Sequence, residues 1–197
     1  MTRFGSFLVA ILLLLAAAPG FALDTVIIDA GHGGHDRGGS PGQRIPEKPY
    51  VLDIARRLSS DLRARGFHTV MTRDGDYFLS LGQRCAIGNS RSNAIFVSIH
   101  LNSAPREGAN GIETYYYSSK SASLAAALHS AIVRAAGSEN RGVRRRGFYV
   151  IRRTTRVPAV LCECGFLTNR AEAKRLLTAS HRQRIASAIA AAIDAKY

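Results

Sequence analysis

Cysteine is scarce in this chain, and its number is odd. Cys85, Cys162 and Cys164 are the only three, a poor basis for a disulfide framework. Cys162 and Cys164 flank one residue of a strand-like run, so both side chains point to one face, opposite residue 163. A direct bridge at that spacing is strained. Two small buried hydrophobes is the favoured reading, with a bridge from Cys85 to either as the alternative in an oxidising compartment. Acidic side chains are also in short supply, 14 Asp+Glu against 27 Lys+Arg, for a net charge of +13. Such an excess favours an anionic partner, although a solvated face accounts for many of the charges. Long apolar runs are missing except at one place. Phe7 to Ala18 is unbroken, with Arg3 before it and Pro19, Gly20 and the small residue Ala22 after it. This reads as a secretory signal over residues 1–22, with an uncleaved anchor as the alternative. The run falls short of the roughly 20 apolar residues a membrane span needs. No Cys near the cleavage point could take a lipid, and no Arg-Arg pair precedes the run. Export disfavours nucleic acid and points to the periplasm, cell wall or extracellular space, with an anionic envelope polymer or membrane surface as partner. No internal repeat, linker or second domain is visible, so residues 23–197 are expected to form one domain.

Strand-like and helix-like runs alternate along that domain. Val26-Ile27-Ile28 is a β-branched run that stops in Gly31-His32-Gly33-Gly34-His35-Asp36. Val51, Leu52, Ile54, Ala55, Leu58 and Leu62 form a stripe at helical spacing, with Pro49 tolerated in the first turn and Gly66 at the end. Phe67 to Met71 is a second strand, and Leu79 to Ser92 a helix with Ser80 as its cap. Ala94 to Ile99 runs into His100-Leu101-Asn102. Gly111 to Tyr117 is read as a strand, Ser119 to Ala136 as a helix, Arg141 to Arg146 as a basic loop and Phe148 to Ile151 as a short strand. Ala159 to Glu163 is another strand, Gly165 to Asn169 a loop, Asn169 a cap, and about Ser180 to Ala195 the last helix. This alternation predicts an α/β domain with a largely parallel sheet.

Four polar residues stand where such a fold collects ligands. His32, His100 and Glu163 lie at strand ends and Glu47 at a helix start, and α/β sheets bind ligands beyond the carboxyl ends of their strands. Catalytic zinc commonly takes three His or carboxylate ligands and leaves a position for water. A further carboxylate is then needed to move the proton from water to the leaving nitrogen. The glycine-rich loop lacks the Lys-Ser/Thr ending of a phosphate loop and the spacing of a dinucleotide fold.

The combined motifs resemble a family. In order they are Gly31-His32-Gly33-Gly34-His35-Asp36, Glu47-Lys48, Thr72-Arg73-Asp74-Gly75-Asp76 through Leu81 with Arg84, Ser98-Ile99-His100-Leu101-Asn102, and Glu163-Cys164-Gly165-Phe166-Leu167-Thr168-Asn169. They are similar to the zinc-dependent N-acetylmuramoyl-L-alanine amidases of the cell-division and sporulation type, the amidase-3 family, from about Asp24 to the C-terminus. The resemblance implies a single α/β domain with a roughly six-stranded sheet flanked by helices. It implies that His32, Glu47 and His100 hold Zn2+ and that Glu163 is the catalytic carboxylate. The implied substrate is peptidoglycan, cut by a monomer at the amide between the lactyl group of N-acetylmuramic acid and L-alanine. Two departures stand out. Cys164 replaces a more usual small residue. The stretch between His100 and Glu163 is filled by two strands, one helix and short loops, which leaves no room for the blocking helical insert that cell-division relatives of Gram-negative type commonly carry.

Other residues are expected to be supporting. Asp36 bonds within its loop or orients a zinc-ligating His, Asn102 meets substrate or ties a turn, and Arg73 and Arg84 brace the fold. His35 is not counted as a ligand, and His68, His129 and His181 are ordinary. Tyr115-Tyr116-Tyr117 packs on the sheet, and Arg144, Arg145 and Arg146 meet substrate carboxylates, anionic polymer or only solvent. Another zinc hydrolase of the wall, or an inactive wall-binding module, are the competing readings.

Overall fold

The first apolar run forms β1 (Thr25–Ala30), and every one of its residues is buried. Burial on both faces is the mark of an interior parallel strand. The computed structural model describes residues 23–40, 43–106 and 108–197; the expected signal over residues 1–22 lies outside these. The chain continues through α1 (Lys48–Arg63), β2 (His68–Met71), α2 (Leu81–Gly88), β3 (Ala94–Asn102), β4 (Ile112–Tyr116), α3 (Ala122–Ala136), β5 (Asn140–Arg145), α4 (Tyr149–Arg153), β6 (Ala159–Phe166), α5 (Arg170–Leu176) and α6 (Ala179–Asp194).

The six strands make one sheet in the order β2-β1-β3-β6-β4-β5. β1 pairs in parallel with β2 and β3, β3 with β6, and β4 with β5, while β4 runs antiparallel to β6. The mostly parallel α/β sheet read from the sequence is therefore present. Alternation along the strands splits the core into two layers. Val26, Ile28, Val97, Ile99, Val160 and Cys162 face a layer with α1, α3 and α6. Ile27, Phe96, Ala159 and Leu161 face a thinner layer with α2 and α4. In α1 the stripe of Val51, Ile54, Ala55, Leu58 and Leu62 is fully buried, each larger side chain contributing roughly 1.5–3 kcal/mol. Among the described residues no helix is long and apolar enough to cross a membrane.

All three cysteines are free and buried. Cys162 and Cys164 lie in the α1/α3/α6 layer and Cys85 in the other, so the sheet itself separates Cys85 from the pair.

Two expectations are corrected. Residues read as a basic loop, Arg141 to Arg146, largely form edge strand β5, paired to β4 through Tyr115↔Arg144 and Tyr116↔Arg145. An edge strand needs only one partner and leaves its charged side chains in water. Phe148 to Ile151 is not a strand; Tyr149 opens helix α4, whose Val150 and Ile151 are buried beside α2. β3 and β6 also run past the expected ends, to Asn102 and Phe166.

Candidate metal centre and active site

β1 delivers the glycine-rich loop to the carboxyl edge of the sheet. There the chain reverses at His32, which has φ 59° and is the only non-glycine with positive φ among the described residues. Such a backbone costs roughly 1–2 kcal/mol and is usually held by its surroundings at a functional site. Here Arg84 does the holding. Its Nη2 donates to the His32 carbonyl at 2.6 Å and its Nη1 to the Ala30 carbonyl at 2.6 Å. Arg73, fully buried, donates to the carbonyls of Ala30, Gly31 and Lys48. Both arginines brace the loop, as expected, and Arg73 also ties it to the start of α1.

The loop glycines make room for the imidazoles. A Cβ on Gly31 would lie 2.4 Å from Cε1 of His100, so that ring rests directly on the Gly31 backbone. At Gly38, with φ +72°, a Cβ would lie 2.6 Å from both Glu47 Cβ and His32 Cδ2.

Glu47 sits at the cap position of α1, yet its side chain makes no capping hydrogen bond. It reaches into the site instead. Its Oε2 lies 3.1 Å from His32 Nε2 and its Oε1 3.0 Å from His100 Nδ1. The Leu101 backbone N–H donates to Oε1 at 2.8 Å and fixes the carboxylate. Ligand atoms of His32, Glu47 and His100 all fall within 4.8 Å of one another. Asp36 bonds within the loop, its Oδ1 accepting from the Gly38 N–H, and its Oδ2 lies 2.9 Å from His32 Nδ1 and orients the ring. Burial pushes the Glu47 carboxyl up, but hydrogen bonds and charge from His100 and His32 outweigh it and hold it at about 2. Burial likewise pulls His100 down, and the carboxylates, Glu47 first, raise it to about 9.

Glu163 is the register partner of His100 on β6. Its Oε2 is buried and has no hydrogen-bond partner among the described residues. Burial, reinforced by the charges of Glu47 and Glu113 and opposed by the imidazoles, pushes it up to about 7.

Two carboxylates near the site carried no assignment from the sequence. Asp29 is fully buried and accepts from Thr72, Arg84 and Ser98; burial pushes it up, yet Arg84's charge and the hydrogen bonds hold it below the usual carboxylate range. Its signal was an acid inside an apolar strand. Glu113 lies opposite Glu163 on β4 and accepts from Asn102, the Tyr115 hydroxyl and Arg141. Nothing in its sequence neighbourhood marks it. Asn102 also accepts from Ser103 N–H, so it ties the turn. His35 stacks on Phe78 at 4.2 Å, and His129 is satisfied by Thr114 and Asn140; neither joins the cluster.

Beside the imidazoles opens a cavity of about 290 Å3, lined by His32 and His100 and by Phe78, Leu81, Phe148 and Tyr149. A mostly apolar cleft with convergent titratable groups is the usual form of a catalytic site. Two imidazoles and one carboxylate are a donor set suited to catalytic zinc, and the unpartnered Glu163 oxygen supplies the extra carboxylate, so the residues fit that metal.

Fold and site together define an α/β domain with a candidate metal centre at the carboxyl edge of its sheet. The chain belongs to the Amidase_3 family, N-acetylmuramoyl-L-alanine amidase, whose model matches residues 26–195, and is a peptidoglycan amidase. The catalytic domain of CwlV, an N-acetylmuramoyl-L-alanine amidase from Bacillus (Paenibacillus) polymyxa var. colistinus, superposes with a TM-score of 0.81 at 39% identity, over 88% of this chain and 97% of that one. AmiC2 of Nostoc punctiforme, also an N-acetylmuramoyl-L-alanine amidase, gives 0.80 at 39% identity over 88% and 97%. The N-acetylmuramoyl-L-alanine amidase LytC of Bacillus subtilis is 36% identical over 170 residues, which is 84% of this chain but only 34% of LytC.

Proposed function

We propose that His32, Glu47 and His100 hold a zinc ion and that Glu163 carries the proton as the amide between N-acetylmuramic acid and L-alanine is hydrolysed. The observation that carries this reading is the convergence of three ligand atoms within 4.8 Å beside a buried carboxylate oxygen with no hydrogen-bond partner among the described residues. When bound, zinc supplies Lewis acidity toward the carbonyl and acidifies water. Glu163 accepts a proton from the water that attacks the carbonyl carbon. The C–N bond then breaks as Glu163 returns that proton to the L-alanine nitrogen, leaving a lactyl carboxylic acid and a free amine. Asp36 keeps the His32 ring turned toward the centre, and Leu101 N–H does the same for Glu47. All four groups come from one chain, so a monomer with residues 23–197 as its catalytic domain is a sufficient unit for this chemistry.

The enzyme acts on the wall, after export by its N-terminal signal. Its centre needs no activator: β4, α3, β5 and α4, which connect β3 to β6, are built into the domain, and both imidazoles remain partly exposed. The test is a digest of purified peptidoglycan by the purified protein alone, with the products weighed. Intact stem peptides and unsubstituted glycan are expected, abolished by a chelator and restored by zinc. Deacetylated sugars or cut cross-links would place the chain among other wall hydrolases.

A further inference from the structure

The catalytic cavity does not end at the imidazoles. Tyr149 lines it on one side and on the other lines a second cavity of about 520 Å3, together with Tyr117, Arg152, Arg153 and Thr155. Arg152 and Arg153 follow Tyr149 by three and four positions on α4, so they stand one helical turn from it, about 5–6 Å between Cβ atoms. Arg145 Cζ lies 5.5 Å from the centroid of Tyr117 and Arg153 Cζ 5.9 Å from that of Tyr149. No ion pair involves Arg145, Arg152 or Arg153 among the described residues; the arginines that do pair are elsewhere. The second cavity is thus an aromatic-walled trough of uncompensated positive charge that shares Tyr149 with the catalytic cavity.

We propose that this trough is the subsite for the free α-carboxylate on the second residue of the stem peptide, with Arg152 and Arg153 as its specificity-determining cations. The proposal rests on the amidase reading above. Hydrolysis places the acyl carbon and the L-alanine nitrogen beside His32 and His100, and two strands of substrate must leave that point. The glycan strand is neutral where it leaves; the peptide carries carboxylates. Only the peptide is complementary to a cationic trough. An extended peptide advances about 3.3 Å per residue, so a residue or two spans the helical turn, about 5–6 Å, that separates Tyr149 from the two arginines. Arginine forks match carboxylates in geometry as well as charge. The alternative occupant, a phosphodiester polymer of the envelope, has no reason to lie in line with the scissile bond.

The test is a pair of soluble substrates differing at one group, N-acetylmuramoyl-L-alanyl-D-glutamate and its carboxamide, N-acetylmuramoyl-L-alanyl-D-isoglutamine. The wild-type protein loaded with zinc is expected to favour the acid in kcat/KM by about five- to tenfold, chiefly through KM, the range of one or two partly solvated charge-assisted contacts. In the double variant Arg152→Ala/Arg153→Ala the ratio falls to about one, while Arg152→Lys/Arg153→Lys keeps it above two. A merely structural role would lower both rates and leave their ratio alone. A wild-type ratio near one, or a ratio unchanged in the alanine variant, overturns the subsite, including when that variant loses binding to polymer-bearing walls. Failure of wild type to cut either substrate would instead strike the amidase reading itself.

Discussion

His32 accepts an unfavourable backbone so that its ring can face Glu47, and the cost is met by Arg84 and Asp36 around it. The roles assigned to single residues separate in experiment. Glu163→Ala is expected to keep zinc near one equivalent per chain while stem-peptide release falls by about 10²–10⁴-fold, the usual weight of a positioned proton carrier. His32→Ala is expected to lose both the metal and the activity. Metal content measured beside the digest distinguishes them, and a Glu163→Ala protein that works at near wild-type rate would sink the assignment. These residues were legible in the sequence because each stands at the end of a predicted strand or the start of a predicted helix. Asp29 and Glu113 were not, since what they do depends on Arg84 and Arg141, which lie 55 and 28 positions away.

The elements are fastened to one another by the same buried charges. Arg84 on α2 pairs with Asp29 on β1 at 2.8 Å, with both side chains almost wholly out of solvent. Arg84→Met leaves Asp29 buried without its cation, so a loss of about 3–5 kcal/mol in unfolding free energy is expected from urea titration. Adding Asp29→Asn should recover part of it; full stability in the single variant would contradict this account. At this scale the sequence was readable where a pattern is long and apolar, as in β1, β3 and α1. It misled where tertiary partners decide. Arg141 to Arg146 is too charged to read as a strand, yet β4 offers it an edge. Phe148 to Ile151 is a short apolar run, a length at which strand and helix cannot be told apart by periodicity, and packing beside α2 settles it as helix.

Across the whole molecule, stability has a titratable element far from the centre. His181, in the first turn of α6, is 2% exposed, and its Nδ1 accepts from Arg184 at 2.9 Å, a bond only the neutral ring can make. Burial first, then the charges of Arg184 and Arg175, bring it down to about 4, against the pull of Glu172. Its folded pKa lies below its unfolded value of about 6.5, so between these the unfolded chain binds more protons. The protein should therefore hold its full stability above about pH 6.5 and lose up to about 3 kcal/mol as pH falls to 4. Urea midpoints at pH 7.5 and 4.5 should differ less in His181→Asn than in wild type; an equal difference would rule this out. The strand order has a consequence of another kind. β6 is the last strand of the chain but lies inside the sheet, between β3 and β4. Before residues 159–166 exist, the strands β2-β1-β3 and β4-β5 have no hydrogen-bonded connection within the sheet. A chain on the ribosome, or one cut short before Ala159, already carries both imidazoles and Glu47 but has neither a closed sheet nor Glu163. The last strand to be made thus closes the sheet and brings Glu163 opposite His100 in one event.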